Sequence, residues 1–282
     1  MPEAPVLIGS QHLPGTLAVP ADARGLVLFA HGSGSSRHSL RNLHVAAVLQ
    51  AHGLATLLFD LLNTMEGQDR GKVFDIPLLA RRLAEAVDWA GSQQALARLP
   101  LGLFGASTGA AAALVASALR PGRIHAVVCR SGRPDLATTA LPAVTAPTLM
   151  IVGGADLDVL DLNQQAIARM RAPVRLKIIP GATHLFEEFG ALDRVALLTA
   201  QWFSDHLPAG VGLKPDTGRE DASEPLVPVE RRERAERRRW PRPAVSSLAR
   251  TFASTDAPSS GPPQGRPAGR PSTHLRSFRV GR

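Results

Sequence analysis

A single cysteine, Cys129, stands in 282 residues, so no intrachain disulfide can form and no thiolate cluster can hold a metal. Such a chain suits a reducing compartment, and its first residues, Met1-Pro2-Glu3-Ala4-Pro5-Val6-Leu7-Ile8, lack the basic stretch and long apolar core of an export signal. A cytoplasmic location is therefore expected. Long apolar runs are missing too: no window reaches the roughly 18 consecutive residues of a membrane span. Tyrosine is absent and aromatics make up 4% of the chain, which argues against a stacking platform for nucleic acid or sugar. Acidic residues fall well short of basic ones in one part only. Residues 1–210 hold 17 Lys+Arg against 16 Asp+Glu, whereas residues 211–282 hold 15 against 8. Seven of the eight net charges thus belong to the C-terminal quarter, and the total says nothing about what the first 210 residues bind.

What remains is a chain with 44% hydrophobic residues, enough for a substantial core. Short apolar runs at residues 5–9 and 13–19, separated by turn residues, predict an antiparallel pair at a sheet edge. Apolar runs at 25–31, 54–59, 101–106, 124–129 and 147–152, together with the stretch 174–179, predict strands, with 25–31 the continuous run of a strand buried on both faces and 54–59 a second buried strand. Between them, apolar residues recur at helical spacing over 39–52, 74–90, 108–120, 160–170 and 195–206. Residues 61–75 read as a long polar loop. This alternation argues for a doubly wound, mostly parallel α/β sheet, in which ligands bind at the C-terminal ends of the strands.

One such end carries Gly105-Ala106-Ser107-Thr108-Gly109, between an apolar run and an alanine-rich helical stretch. In a strand-turn-helix setting this G-x-S-x-G pattern is a nucleophile elbow: the serine backbone is strained, and the positions two before and two after must be small. Ser107 has a plainer alternative as a helix N-cap. A serine hydroxyl needs a histidine base, and the base needs an orienting acid. Asp156 follows the run Met150-Ile151-Val152-Gly153-Gly154-Ala155, and His184 follows Ile178-Ile179-Pro180-Gly181-Ala182-Thr183, so both fall just after strands. Asp158 and Asp161 compete for the acid. Asp156 is favoured because it comes first after the glycine pair, while the following helix claims the other two. No other histidine lies after a late strand. His31 is read as shaping the small-residue loop at 31–36, and His38, His44, His52, His125 and His206 as surface or packing residues.

The blocks H-G-S-G-S-S-R-H-S (31–39), G-L-F-G-A-S-T-G-A-A-A-A-L (102–114), S-G-R-P-D-L (131–136), I-V-G-G-A-D (151–156) and P-G-A-T-H-L-F-E-E (180–188) occur in that order. Over nearly all of residues 5–206 the chain resembles an α/β-hydrolase of the dienelactone-hydrolase-like branch. The resemblance implies a Ser107–Asp156–His184 triad and hydrolysis through an acyl-enzyme without cofactor or metal. It also implies an oxyanion hole built from the backbone N–H of Thr108 and one N–H from the loop after the 25–31 strand, for which Ser33 is the choice. Name-giving members of the branch use cysteine as nucleophile, and this elbow holds serine, which points away from dienelactone itself as substrate. Some relatives fuse a phosphoribosyltransferase domain to such a hydrolase domain, and no such domain is recognisable in this sequence.

Arg130 and Arg133 also follow a strand, so either one can meet an anionic group of a substrate, or pair with Asp135 or another loop carboxylate. The 17 residues between Cys129 and Pro147 leave no room for a helical cap, which predicts an open site for small acyl groups. Residues 1–207 are expected to form the α/β-hydrolase domain, without a cap domain, and residues 208–282 a Pro/Arg/Gly/Ser-rich disordered basic tail with a charge run at 231–239. The leading reading is a hydrolase of esters, lactones or thioesters acting on a small-molecule acyl substrate. Acyl transfer or peptide cleavage on the same triad, and a non-catalytic module whose tail binds nucleic acid or an anionic surface, are the rivals.

Overall fold

The computed structural model describes residues 3–208, so the tail and its charge run lie outside the described residues. Within them the strands are β1 (Glu3–Ile8), β2 (Leu13–Ala18), β3 (Leu26–Ala30), β4 (Ala55–Phe59), β5 (Leu101–Ala106), β6 (Ile124–Arg130), β7 (Thr148–Gly153) and β8 (Val174–Ile179). They form one sheet in the order β1-β2-β4-β3-β5-β6-β7-β8. β1 and β2 pair antiparallel at one edge, and β2 joins β4 antiparallel; every pairing from β4 to β8 is parallel. The apolar runs account for this placement: every residue of β3, β4, β5 and β7 is buried, as a strand covered on both faces requires.

Alternation along β3 splits the core in two. Leu26, Leu28 and Ala30 pack with α3 (Ile76–Ser92) and α4 (Thr108–Leu119), whereas Val27 and Phe29 pack with α1 (Leu40–Ala51) and α6 (Ala191–His206) on the other side. Phe203 of α6 is fully buried over Gly102 of β5, where a Cβ would sit 2.5 Å from its ring, so the glycine makes room for an aromatic worth about 1.5–3 kcal/mol of burial.

Several boundaries differ from the sequence expectation. Within residues 61–75 the chain makes a 3-10 turn at Glu66–Gln68 and a one-turn helix, α2 (Arg70–Val73), closed by the Asp69 carboxylate accepting from the Gly71 N–H at 2.8 Å. The helix α5 (Leu157–Ile167) starts three residues before Leu160, because Asp156 takes its N-cap position directly after the glycine turn. α6 starts at Ala191, after Gly190 turns the chain at φ 70°. Between β6 and β7 lie only 3-10 turns at Pro134–Ala137 and Leu141–Ala143, and no cap domain stands among the described residues. None of the described helices is long and apolar enough to cross a membrane.

Candidate active site

β5 ends in the elbow. Ser107 has φ 52° and ψ −119°, a conformation that a residue with a side chain rarely adopts, and it stands at the N-cap position of α4 without making a side-chain cap bond. Its hydroxyl is therefore not engaged in capping the helix. A Cβ on Gly105 would lie 2.5 Å from both Ala110 Cα and Gly109 O. A Cβ on Gly109 would overlap the carbonyl oxygen of Ala30, so the second glycine is demanded by the neighbouring strand β3 as well. Two backbone bonds tie the elbow to the end of β6: the Ser107 N–H donates to Arg130 O at 3.0 Å, and the Arg133 N–H donates to Ser107 O at 3.1 Å.

His184 reaches this point from the loop after β8. Its Nε2 lies 3.3 Å from Ser107 Oγ, and its Nδ1 lies 2.7 Å from Asp156 Oδ2. Asp156 makes no cap bond to α5, which leaves its carboxylate for the imidazole. Asp158 is exposed in the first turn of that helix, and Asp161 accepts from Gln165 Nε2 at 2.7 Å on the surface. The loops carrying the two partners are locked together, with the Gly154 N–H on Ile179 O at 2.8 Å and the Ala155 N–H on Ala182 O at 2.9 Å. Beyond His184, buried Phe186 anchors the loop at φ 56°. The Glu188 carboxylate accepts from the Thr183 N–H at 2.9 Å, and hydrogen bonding, from the Thr183 side chain above all, holds it below the usual carboxylate range.

The Thr108 N–H is the first of α4 and has no acceptor inside the helix. The N–H of Ser33, expected as the second donor toward a substrate, is held by Thr108 Oγ1 at 2.8 Å. His31 supports this loop from beneath: its Nδ1 donates to Gly32 O at 3.0 Å and its Nε2 accepts from the Leu61 N–H at 3.1 Å. Burial lowers its pKa, which favours the neutral imidazole that these two bonds require. Cys129, beneath the site, is buried and its thiol is pushed up to about 12, which removes it as a thiolate nucleophile.

The two arginines part company. Arg133 forms a bidentate pair with Asp135, at 2.8 and 2.7 Å. Arg130 is 6% exposed, its Nε and Nη1 have no partner among the described residues, and burial, then the nearby Arg41 charge, push its pKa down to about 10. It lines a cavity of about 270 Å³ with Ser107, His184, Arg41, Asn42 and Ser131. Residues 61–75 do not line this cavity. Arg41, Asn42 and Ser131 were not legible as site residues; the one signal is that Ser39 caps α1 by accepting from the Asn42 N–H at 3.4 Å, which places positions 41 and 42 in a first turn at the strand-end side. Among the described residues no group of three or more His, Cys, Asp or Glu could hold a metal ion.

No protein-family model matches the chain. Two curated proteins from strains of Mycobacterium tuberculosis, each carrying a provisional phosphoribosyl transferase name, are 56% identical over 205 residues, 73% of this chain and 46% of theirs. The chain thus spans about half the length of these relatives. The crystal structure of a dienelactone hydrolase from Anabaena variabilis superimposes with a TM-score of 0.71 at 53% identity, over 73% of this chain and 97% of that one. Est1E from Butyrivibrio proteoclasticus shares the fold, with a TM-score of 0.62 at 15% identity over 73% of this chain and 98% of its own. The elbow at the end of β5, the parallel sheet around it and this identity over nearly a whole solved relative have one outcome: the chain belongs to the dienelactone-hydrolase-like branch of the α/β-hydrolases.

Proposed function

We propose that the protein is a serine hydrolase of carboxylic esters, lactones or thioesters, with Ser107 as nucleophile, His184 as base and Asp156 as the orienting acid. The observation that carries this reading is the run of contacts from Asp156 Oδ2 to His184 Nδ1, 2.7 Å, and from His184 Nε2 to Ser107 Oγ, 3.3 Å, ending on a strained elbow. With its Nδ1–H donated to Asp156, the imidazole presents a lone pair at Nε2 to the serine hydroxyl. Ser107 Oγ attacks the acyl carbon while its proton passes to His184, and the carbonyl oxygen becomes an oxyanion. The Thr108 N–H and the Ser33 N–H stabilise that charge, each donor of this kind being worth about 2.7–4 kcal/mol. For Ser33 this means sharing or leaving its bond to Thr108 Oγ1 as the oxyanion forms. The tetrahedral intermediate collapses as His184 protonates the departing alcohol or thiol. Water, deprotonated by His184, then attacks the acyl-enzyme, releases the acid and restores Ser107.

The absence of a cap among the described residues and the small cavity favour short acyl groups. A cytoplasmic location accompanies this reading and is checked by fractionation. Turnover of p-nitrophenyl acetate by the purified protein beside Ser107→Ala tests the reading: loss of the serine-dependent rate is expected, and equal rates would overturn it. Adding primary alcohols and amines and analysing the products separates hydrolysis from acyl transfer.

A further inference from the structure

The cavity over Ser107 concentrates the unsatisfied polar groups of the fold. Of the twelve buried side-chain nitrogen and oxygen atoms without a hydrogen-bond partner among the described residues, five belong to residues that line it: Arg130 Nε and Nη1, Arg41 Nε, Ser131 Oγ and Asn42 Oδ1. Native interiors pair nearly all such groups, and an unpaired one costs about 1–3 kcal/mol, so five on the residues around one cavity make an arrangement that a polar ligand drawing these side chains toward it completes. Ser131 is also held at φ 40°, and strain of that kind gathers at ligand clamps.

Four of the five atoms belong to donor groups, and two of the three residues that carry them are guanidinium cations. Among the described residues Arg130 has no ion pair. Arg41 has one, to the exposed Glu187 at 3.5 Å, a pair of the sort that solvent screens almost completely. Two like charges facing one small cavity call for a dianion. Geometry selects its shape. The donors come from two walls, Arg41 from α1 and Arg130 with Ser131 from the end of β6, and Arg130 Nε and Nη1 lie on different edges of the guanidinium plane. A planar carboxylate satisfies one fork edge, whereas the three terminal oxygens of a phosphate monoester accept from several directions.

We propose that Arg130, Arg41 and Ser131 form a phosphoryl subsite beside Ser107, and that the substrate is a short acyl compound carrying a phosphate monoester. The substrate assignment rests on the hydrolase reading; the binding of phosphate does not. Ser107 and the phosphoryl donors share about 270 Å³, which admits a phosphate and a short acyl-bearing skeleton.

Calorimetric titration of the full chain with inorganic phosphate near neutral pH, against succinate at matched ionic strength, tests the subsite. One phosphate site is expected, tighter than succinate and weakened about tenfold or more in Arg130→Gln. Because Arg130 is buried, Arg41→Gln at a half-exposed position serves as the second variant, with several-fold weaker phosphate binding expected and an unchanged melting curve. No phosphate heat, tighter succinate, or wild-type phosphate affinity in a folded variant would overturn the proposal. Phosphate should bind Ser107→Ala as it binds the wild type and should inhibit p-nitrophenyl acetate turnover competitively. Phosphate binding without serine-dependent turnover sinks the hydrolase reading alone; turnover without phosphate binding sinks the subsite alone.

Discussion

Two cavities of similar size lie on either side of one loop, and they treat their polar groups in opposite ways. The first, about 320 Å³, is lined by residues 31–36 and by residues of the 60–79 stretch; the second, about 270 Å³, contains Ser107. Gly32, Ser33 and Ser35 line both. In the first cavity both imidazole nitrogens of His31 are bonded, and Asp60 takes the Arg37 N–H at 2.7 Å together with its guanidinium. Asn63 and Glu66 bond each other reciprocally, at 3.2 and 2.9 Å. Among the described residues, none that lines it carries an unpartnered buried side-chain atom, whereas residues lining the second carry five. Volume therefore does not distinguish the two cavities; the state of the hydrogen bonds around them does. Substitutions around the first cavity should act on stability, and those around the second on chemistry and binding.

The largest expected effect is kinetic. Asp156→Asn keeps the shape of the side chain but no longer fixes the imidazole with its lone pair toward Ser107, and the loss of kcat is about 10⁴-fold in such triads. Since Asp156 makes no cap bond to α5, the melting temperature should hardly move. Steady-state kinetics beside a thermal melt check both halves. A large fall in stability with intact kcat would reverse the comparison.

That Asp156 and His184 come near Ser107 was legible because each follows a stretch read as a strand, and strand ends in a parallel sheet converge. The glycines of the elbow were legible from the local pattern, although the atoms a Cβ on Gly109 would meet first belong to Ala30 and His31, 79 and 78 positions away. Arg41, Asn42 and Ser131 were hidden. Each looks like ordinary surface or loop chemistry until α1, β6 and the loop after β8 are brought around one space. The engagement of Ser33 was invisible too, since its N–H meets a hydroxyl 75 positions along the chain. Arg133 could be read either way from its spacing, and only geometry shows Asp135 occupying it. Local pattern thus reports which residues stand at the active edge, and tertiary packing decides which of them keep a free valence.

A smaller effect should come from the first cavity. His31→Ala leaves the Leu61 N–H and the Gly32 carbonyl without their partner, a loss of about 2–4 kcal/mol at the magnitudes usual for buried groups. Urea unfolding measures it, and an unchanged midpoint would mean that the bonded cleft is not structural. The same residue adds a pH dependence. Its folded pKa lies below the ordinary value near 6.5, so its contribution to stability is complete above that value and is lost as pH falls toward the lowered one. The wild-type melting temperature should drop on acidification through this window, and the drop should be shallower in the alanine variant.

The smallest effect has the opposite sign. Ser131 combines a positive φ of 40° with a buried hydroxyl that has no partner, two features that oppose folding. Ser131→Gly relieves the backbone strain and removes the orphan group, against an entropic cost of about 0.5–1 kcal/mol for the added chain freedom. A net gain of about 1 kcal/mol is expected, or about 2–4 °C in melting temperature for a domain of this size. Phosphate affinity should weaken in the same variant, because the hydroxyl that destabilises the empty cavity is one of the donors that fills it. A lower melting temperature would show that Ser131 already has a structural partner, and the second cavity would then resemble the first.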